Sequence, residues 1–488
     1  MASAAEQLAA NLSMSNLGKA RELRQRVVFT ILALIVFRIG IAIPIPGIDV
    51  ALFSNAFNAG SGQDGLGILG QINRFTGGAL GSGSIFTLSI IPYISASIIV
   101  TLLRAMIPSW DAMYKEGEAG RRQLNQYTRY LTLALAMVQS YGIAIGLEAG
   151  ALLGNVLVTD ANGVPVGGFA FRLSAMLSLT GGTMFLLWLG EQITARGVGN
   201  GISLIIYIGI ISSIPQVIID ALANVGDTAA LARTIASLAV IIALVLLVVF
   251  VERCVRKVPI QYPSRVQGNR QMAANNQFLP LKINTAGVIP AIFASSLLFL
   301  PSTILAFSQT DSNNWFTNIL AYLQPGSWVF ILLFGFLIIF FAFFYTSIVF
   351  NPEDTAENLK KAGGSIPGIR PGGQTAAYLD FILSRLTVVG GLYLAFVALA
   401  PMIASGPGAA QSAFFGGTAI LIVVTVTIDL VSQVQSYLVA NQYESILQKQ
   451  NLRGGPMAAA LGGGSDDEAA RKRPGTARKR KPRKSNSR

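Results

Sequence analysis

Residues 65–106 read GLGILGQINRFTGGALGSGS followed by IFTLSIIPYISASIIVTLLRAM. The first half is glycine-rich, weakly apolar and too short to cross a bilayer. The second is an apolar run of membrane length that carries Pro92. Almost 200 residues later its heptad returns: Ile91-Pro92-Tyr93-Ile94-Ser95-Ala96-Ser97 matches Ile289-Pro290-Ala291-Ile292-Phe293-Ala294-Ser295 at five of seven positions. Proline-bearing apolar segments at corresponding places in two halves predict a repeat membrane protein with its functional path between the halves. A chance match of small and apolar residues is the other reading of the heptad.

Composition sets the class. The chain has 488 residues, of which 52% are hydrophobic and 12% charged, far more apolar surface than a soluble domain needs. Net charge is +13, but ten of the 36 lysines and arginines lie at 471–488, so the bias is not that of a folded nucleic-acid-binding domain. A single cysteine, Cys254, excludes an intramolecular disulfide and a cysteine-built metal site. The absence of histidine removes the commonest general base and metal ligand. No nucleophile elbow, zinc-protease or phosphate-loop motif is present, and Gly197–Gly201 lacks the preceding strand that nucleotide binding requires. Nothing calls for a cofactor, and the chain does not read as an enzyme.

Working outward, ten apolar stretches are each close to the ~20 residues that a spanning helix needs. They fall at about 27–46, 85–103, 130–147, 169–189, 201–219, 234–251, 285–307, 328–350, 381–402 and 415–439. The first is too long for a signal peptide and has no small-residue cleavage site, so it reads as a retained span. Of the 36 lysines and arginines, 32 fall on one side of this arrangement, and Arg74, Arg172 and Arg233 on the other. Arg38 lies within the first span. That asymmetry puts both termini in the cytoplasm. The predicted organisation is a cytoplasmic segment 1–26, a first five-helix half 27–220, a second half 221–440 and a basic, disordered tail 441–488.

Two cytoplasmic loops stand out. Residues 252–284 alternate apolar and polar residues around a Gln-Gly-Asn-Arg turn, which predicts a β-hairpin. Residues 351–378 predict a short helix over 352–361 and then a rigid Pro/Gly turn around Arg370. Their basic residues suit anionic lipid head groups or a polyanion such as ribosomal RNA.

The candidate sites are apolar and polar rather than catalytic. The piece from Gly65 reads as a short helix folded back into a funnel, since irregular backbone at membrane depth needs protein or water around it. An ordinary exterior loop fits the same residues. Pro92 and Pro290 are expected each to remove one hydrogen bond inside a span, loosening two helices that could part; plain kinks fit as well. Ser95, Gln139 and Asn284 could form a weak polar latch near them, or serve only as helix glue. Arg38 and Arg385 are intramembrane cations without the central carboxylates that ion coupling would use.

Taken together, RIGIAIPIPGID (38–49), SIFTLSIIPYISASII (84–99), WLGEQITARGVGNGIS (188–203), LPLKINTAGVIPAIFASS (279–296), PGIRPGGQTAAYL (367–379) and QVQSYLVANQYE (433–444) resemble the SecY family. These are the channel subunits of Sec protein translocases. The resemblance implies an all-α multi-pass membrane protein of ten transmembrane helices, two inverted five-helix halves around a central hourglass pore, hinged between the fifth and sixth. It implies a pore ring of Ile90, Ile94, Ile202, Ile206, Ile292 and Ile422. It further implies a re-entrant plug at about 65–79, carrying Gly65, Leu66, Ile68, Leu69, Ile72 and Phe75. Pro92, Ser95, Gln139, Asn284 and Pro290 would belong to a lateral gate. Arg265, Arg270 and Arg370 would dock the ribosome or the SecA motor ATPase. Asn269 stands where the family usually has a second basic residue beside Arg270, a departure at that tip.

Implied partners are SecE-like and SecG-like small membrane subunits, SecA, a translating ribosome, signal sequences and nascent chains, SecDF, a YidC-type insertase and anionic lipids. The implied location is a bacterial inner membrane. A secondary transporter is the alternative; it would need a midplane ion or solute site. A purely structural scaffold would leave the isoleucines and the re-entrant piece without a role.

Overall fold

The computed structural model describes residues 21–60, 73, 76–150, 156–158, 167–223, 228–262, 266–267, 270–271, 276–306, 327–405 and 416–452. The element order in the first half is α1 (Arg21–Ile41), α2 (Val50–Gly60), α3 (Ile91–Met106), α4 (Pro108–Lys115), α5 (Glu118–Glu148), α6 (Phe169–Arg196) and α7 (Gly201–Ala223). Then come α8 (Thr228–Arg253), a hairpin of β1 (Val255–Gln261) and β4 (Asn276–Lys282) around the short β2 (Val266–Gln267) and β3 (Arg270–Gln271), and α9 (Ile289–Ala306). The chain continues through α10 (Trp328–Val349), α11 (Pro352–Lys361), α12 (Gly373–Ser405) and α13 (Gly417–Leu452). Residues 25–433 form one compact unit.

A helix occupies each of the ten predicted stretches. Among the described residues, α5, α6, α10, α12 and α13 are long and apolar enough to cross a bilayer alone, and the bent pair α3–α4 makes a sixth. The apolar portions Gly201–Pro215 and Ile289–Leu298 are shorter than a crossing. Several helices outrun the apolar stretch that announced them. The third begins twelve residues early at Glu118, because its first turns carry charge that hydropathy rejects and helix propensity accepts.

The antiparallel pair α5–α6 encloses an apolar stretch of membrane width between two ion pairs. Arg129 grips Glu191 with two hydrogen bonds, of 2.8 and 2.7 Å, and Arg172 donates to Glu148. Ser140 and Thr180 share a hydrogen bond of 3.1 Å between the two ion pairs. Each step along α5 between these contacts equals the step along α6, as a constant register requires. The ion pairs are 19 residues apart on both helices, about 28 Å at 1.5 Å per residue. That matches a hydrocarbon core of ~30 Å. No charged residue lies between them on either helix.

Two predictions about the opening stretch are corrected. Residues 85–90 are not helical: turns run through them to Ser89, whose φ of 49° starts the chain into α3. Pro92 and Pro290 therefore do not interrupt spans. Each is the second residue of its helix, where the backbone N–H has no partner to lose, so the ring begins a helix instead of breaking one. The first turns correspond: Ile94 N–H donates to Ile90 O at 3.1 Å, and Ile292 N–H to Val288 O at 3.2 Å.

The internal repeat also appears in the packing. Helix α3 packs on α5 and α5 on α6; in the same sequence α9 packs on α10 and α10 on α12. The seam between these sets is made by α9 against α3 and α5. At its far end α3 turns through 101° into α4, with the Arg104 guanidinium 3.7 Å above the Tyr114 ring.

Candidate functional site

Five of the six predicted ring residues lie in or against one large apolar cluster. Ile206 and Ile422 lie in the largest apolar cluster, and Ile94, Ile202 and Ile292 pack against it. Ile90 belongs to a neighbouring cluster against which Ile94 and Ile202 also pack. The six side chains come from the entry to α3 and from α7, α9 and α13, and lie in or against two clusters that share Ile94, Ile202 and Val426. Aliphatic groups alone can close a path to ions by excluding water, without specific bonds to anything that later passes.

The predicted latch is wired differently from expectation. Ser95, Gln139 and Asn284 are all buried, yet the Ser95 hydroxyl has no hydrogen-bond partner. The Asn284 amide has other partners: Nδ2 donates to Glu252 Oε1 at 2.7 Å and to the Gly287 carbonyl at 3.1 Å. Sequence reasoning missed Glu252 because it ends an apolar span, where a carboxylate normally reaches water.

The predicted plug residues Gly65, Leu66, Ile68, Leu69, Ile72 and Phe75 lie outside the described residues. Immediately C-terminal to them, residues 76–90 are irregular backbone held by protein, as membrane depth demands. Ile45 N–H donates to Gly83 O at 2.8 Å, Ile85 N–H to Ile43 O at 3.0 Å, and Gly81 N–H to Asn73 Oδ1 at 2.7 Å. Arg38 ends here too, its guanidinium donating to the Gly77 carbonyl at 3.3 Å. Gly77 has φ of +70°, and a Cβ on it would stand 2.9 Å from the Gly209 Cα of α7. Arg385 stacks its guanidinium 4.0 Å above the Phe381 ring.

The two basic loops, predicted separately, form one platform. The β1–β4 ladder runs from Val255↔Lys282 to Gln261↔Asn276. Gln261 then exchanges both backbone hydrogen bonds with Ser365, at 2.8 and 2.9 Å. Val258, Leu281, Ile366, Leu379 and Ile382 form the apolar cluster beneath. Helix α11 has the predicted bounds and is capped by Asn351, whose side chain accepts from Glu353 N–H at 3.0 Å. Lys361 donates to Glu357 at 2.9 Å and holds that carboxyl below the usual glutamate range. Arg370 is exposed, and its carbonyl accepts from Thr375 Oγ1 at 3.0 Å. Arg256, Lys257 and Lys282 add exposed cations that the sequence reading passed over. Arg265 lies outside the described residues; the backbone of Arg270 pairs with Gln267 in the β2–β3 turn.

Comparison with known proteins agrees with this architecture. The SecY family model matches residues 84–431. The protein translocase subunit SecY of Escherichia coli K12 is 48% identical over 440 residues, covering 90% of this chain and 96% of the relative. That of Vibrio cholerae is 46% identical over 443 residues, covering 89% and 96%. A solved protein-conducting channel superposes with a TM-score of 0.61 at 18% identity, covering 86% of this chain and 93% of that one. Sec61 in the canine ribosome–channel complex from the endoplasmic reticulum superposes at 0.58, with the same identity and coverage.

Proposed function

The chain belongs to the SecY family, and on that premise we propose that it forms the channel of a protein translocase. Unfolded secretory chains pass between its halves, and membrane-protein helices leave sideways into lipid where α3 and α9 part. The observation that supports this reading is that Ile94, Ile202, Ile206, Ile292 and Ile422 share one apolar cluster, with Ile90 in a neighbouring cluster that Ile94 and Ile202 also touch. An aliphatic closure that binds nothing specifically suits a passage for chains of any sequence. The halves are 27–220 and 221–440, hinged between α7 and α8. The segment at about 65–79 serves as the plug.

The chain does no chemistry of its own. Directionality comes from a cytoplasmic motor such as SecA or from a translating ribosome, seated on the platform of β1, β4 and Arg370. Small SecE-like and SecG-like subunits brace the halves, with SecDF and a YidC-type insertase as further partners. The protein resides in a bacterial inner membrane with both termini cytoplasmic, where anionic lipid favours its basic face.

The deciding experiment places single cysteines at Ile94 and Ile292 after Cys254→Ser. A secretory precursor bearing its own cysteine is stalled midway through inverted vesicles. Disulfides from both positions, dependent on the stalled chain, are expected. Translocation that proceeds with no such crosslink would remove the ring from the path.

A further inference from the structure

The β1–β4 ladder does not stop at its last paired residues. Beyond Val255↔Lys282 the Ile283 N–H donates to the Cys254 carbonyl at 3.2 Å. The next link is made by side chains, Glu252 accepting from Asn284. The second amide hydrogen of Asn284 goes to the carbonyl of Gly287, whose φ of +63° turns the chain into α9. One amide therefore joins the base of the hairpin to the turn that launches the helix bearing Ile292. Glu252 is only 7% exposed, an unfavourable place for a carboxylate. Lys282 and Asp429 are the charged groups within its electrostatic reach, and the buried Tyr393 hydroxyl beside it has no hydrogen-bond partner.

We propose that Glu252 is a positioning residue for gating: through Asn284 it makes the platform and the first turn of α9 move as one body. The proposal rests on the channel reading only for what seats on the platform and what α9 opens. Its mechanical content is local. Displacing the platform shifts the hairpin, the Glu252–Asn284 link carries that shift across Gly287, and Ile292 moves with its helix. Without the link, Gly287 is a free hinge and the platform moves alone.

The test uses the full chain in lipid nanodiscs and hydrogen exchange at the Ala291 and Ile292 amides, both of which donate to Val288 O. Ser365→Pro loosens the platform by deleting the N–H that Gln261 accepts. In the wild-type background it is expected to speed exchange at Ala291 and Ile292 about tenfold, a coupling of ordinary size for contacting elements. In a Glu252→Ala background it should add nothing, and in Glu252→Gln, which keeps an acceptor oxygen, it should retain most of its effect. Equal acceleration in all three backgrounds, or none in the wild type, overturns the proposal. Should Glu252→Ala fail to accumulate, Asn284→Ala removes the same link from the other side and is read by the same criterion. Ribosome binding to each variant is measured in parallel. Binding that is absent throughout counts against the docking reading and leaves the exchange result to decide the link.

Discussion

At the scale of single residues, the site is held by contacts whose partners lie far away in the chain. Gly77 is the sharpest case. Its left-handed backbone and its approach to Gly209 both reject a side chain, whereas Gly78, at φ +90°, has open space around it. Gly77→Ala and Gly78→Ala both incur the left-handed penalty of roughly 1–2 kcal/mol. Only Gly77→Ala adds a backbone clash, so it should lower the thermal midpoint clearly more than its neighbour and raise resting ion leakage across vesicles. Equal midpoints would mean that the Gly209 contact is not structural. Nothing in TGGAL distinguishes the two glycines, because the discriminating atom is more than a hundred residues away. Glu252 was illegible for the same reason: its partner Asn284 becomes near only when the hairpin closes.

At the scale of elements, the corrected role of the prolines makes a quantitative difference. Pro290→Ala should change stability by less than ~1 kcal/mol, because the second residue of a helix needs no N–H. Ala294→Pro, one turn further on, should destabilise by about 3 kcal/mol or more. Thermal unfolding in nanodiscs checks the pair, and comparable effects would return Pro290 to the helix interior. Helix α11 carries a pH signature. Its Glu357 carboxyl is lowered by Lys361, so the pair stabilises the helix fully above the ordinary glutamate pKa of 4.5 and loses that contribution as pH falls through the lowered value. Amide protection in α11 should exceed that of Glu357→Gln at neutral pH and converge with it as pH falls below the lowered value. Protection that differs equally at both pH values would show that the ion pair is not its source. The limits of α11 were readable because Asn351, Pro352 and two C-terminal lysines are local signals. The limits of α3 were not, because 85–90 is apolar enough to be helix, yet its Ile85 N–H is drawn to the distant Ile43 carbonyl.

At the scale of the whole molecule, the charge asymmetry predicts an orientation that can be measured. In a Cys254→Ser background, Phe169→Cys at the exposed start of α6 should react with a membrane-impermeant maleimide from the outer face of intact cells. Lys361→Cys, on the basic side, should react only in inverted vesicles. Labelling of both from one face would overturn the span count.

Membrane class, ten helical stretches, the hairpin and α11 were all written in the sequence. Each depends on local composition or on short-range periodicity, and the bilayer, as a uniform apolar solvent, converts these directly into structure. The ring isoleucines are assigned only through family resemblance, because isoleucine is an ordinary residue of any membrane span. The tertiary structure alone decided that the prolines begin helices, that the two basic loops join through Gln261 and Ser365, and that Asn284 bonds to Glu252. Those outcomes require that distant backbone donors and acceptors be satisfied together where no water can help, a condition on the packed whole that no stretch of residues contains.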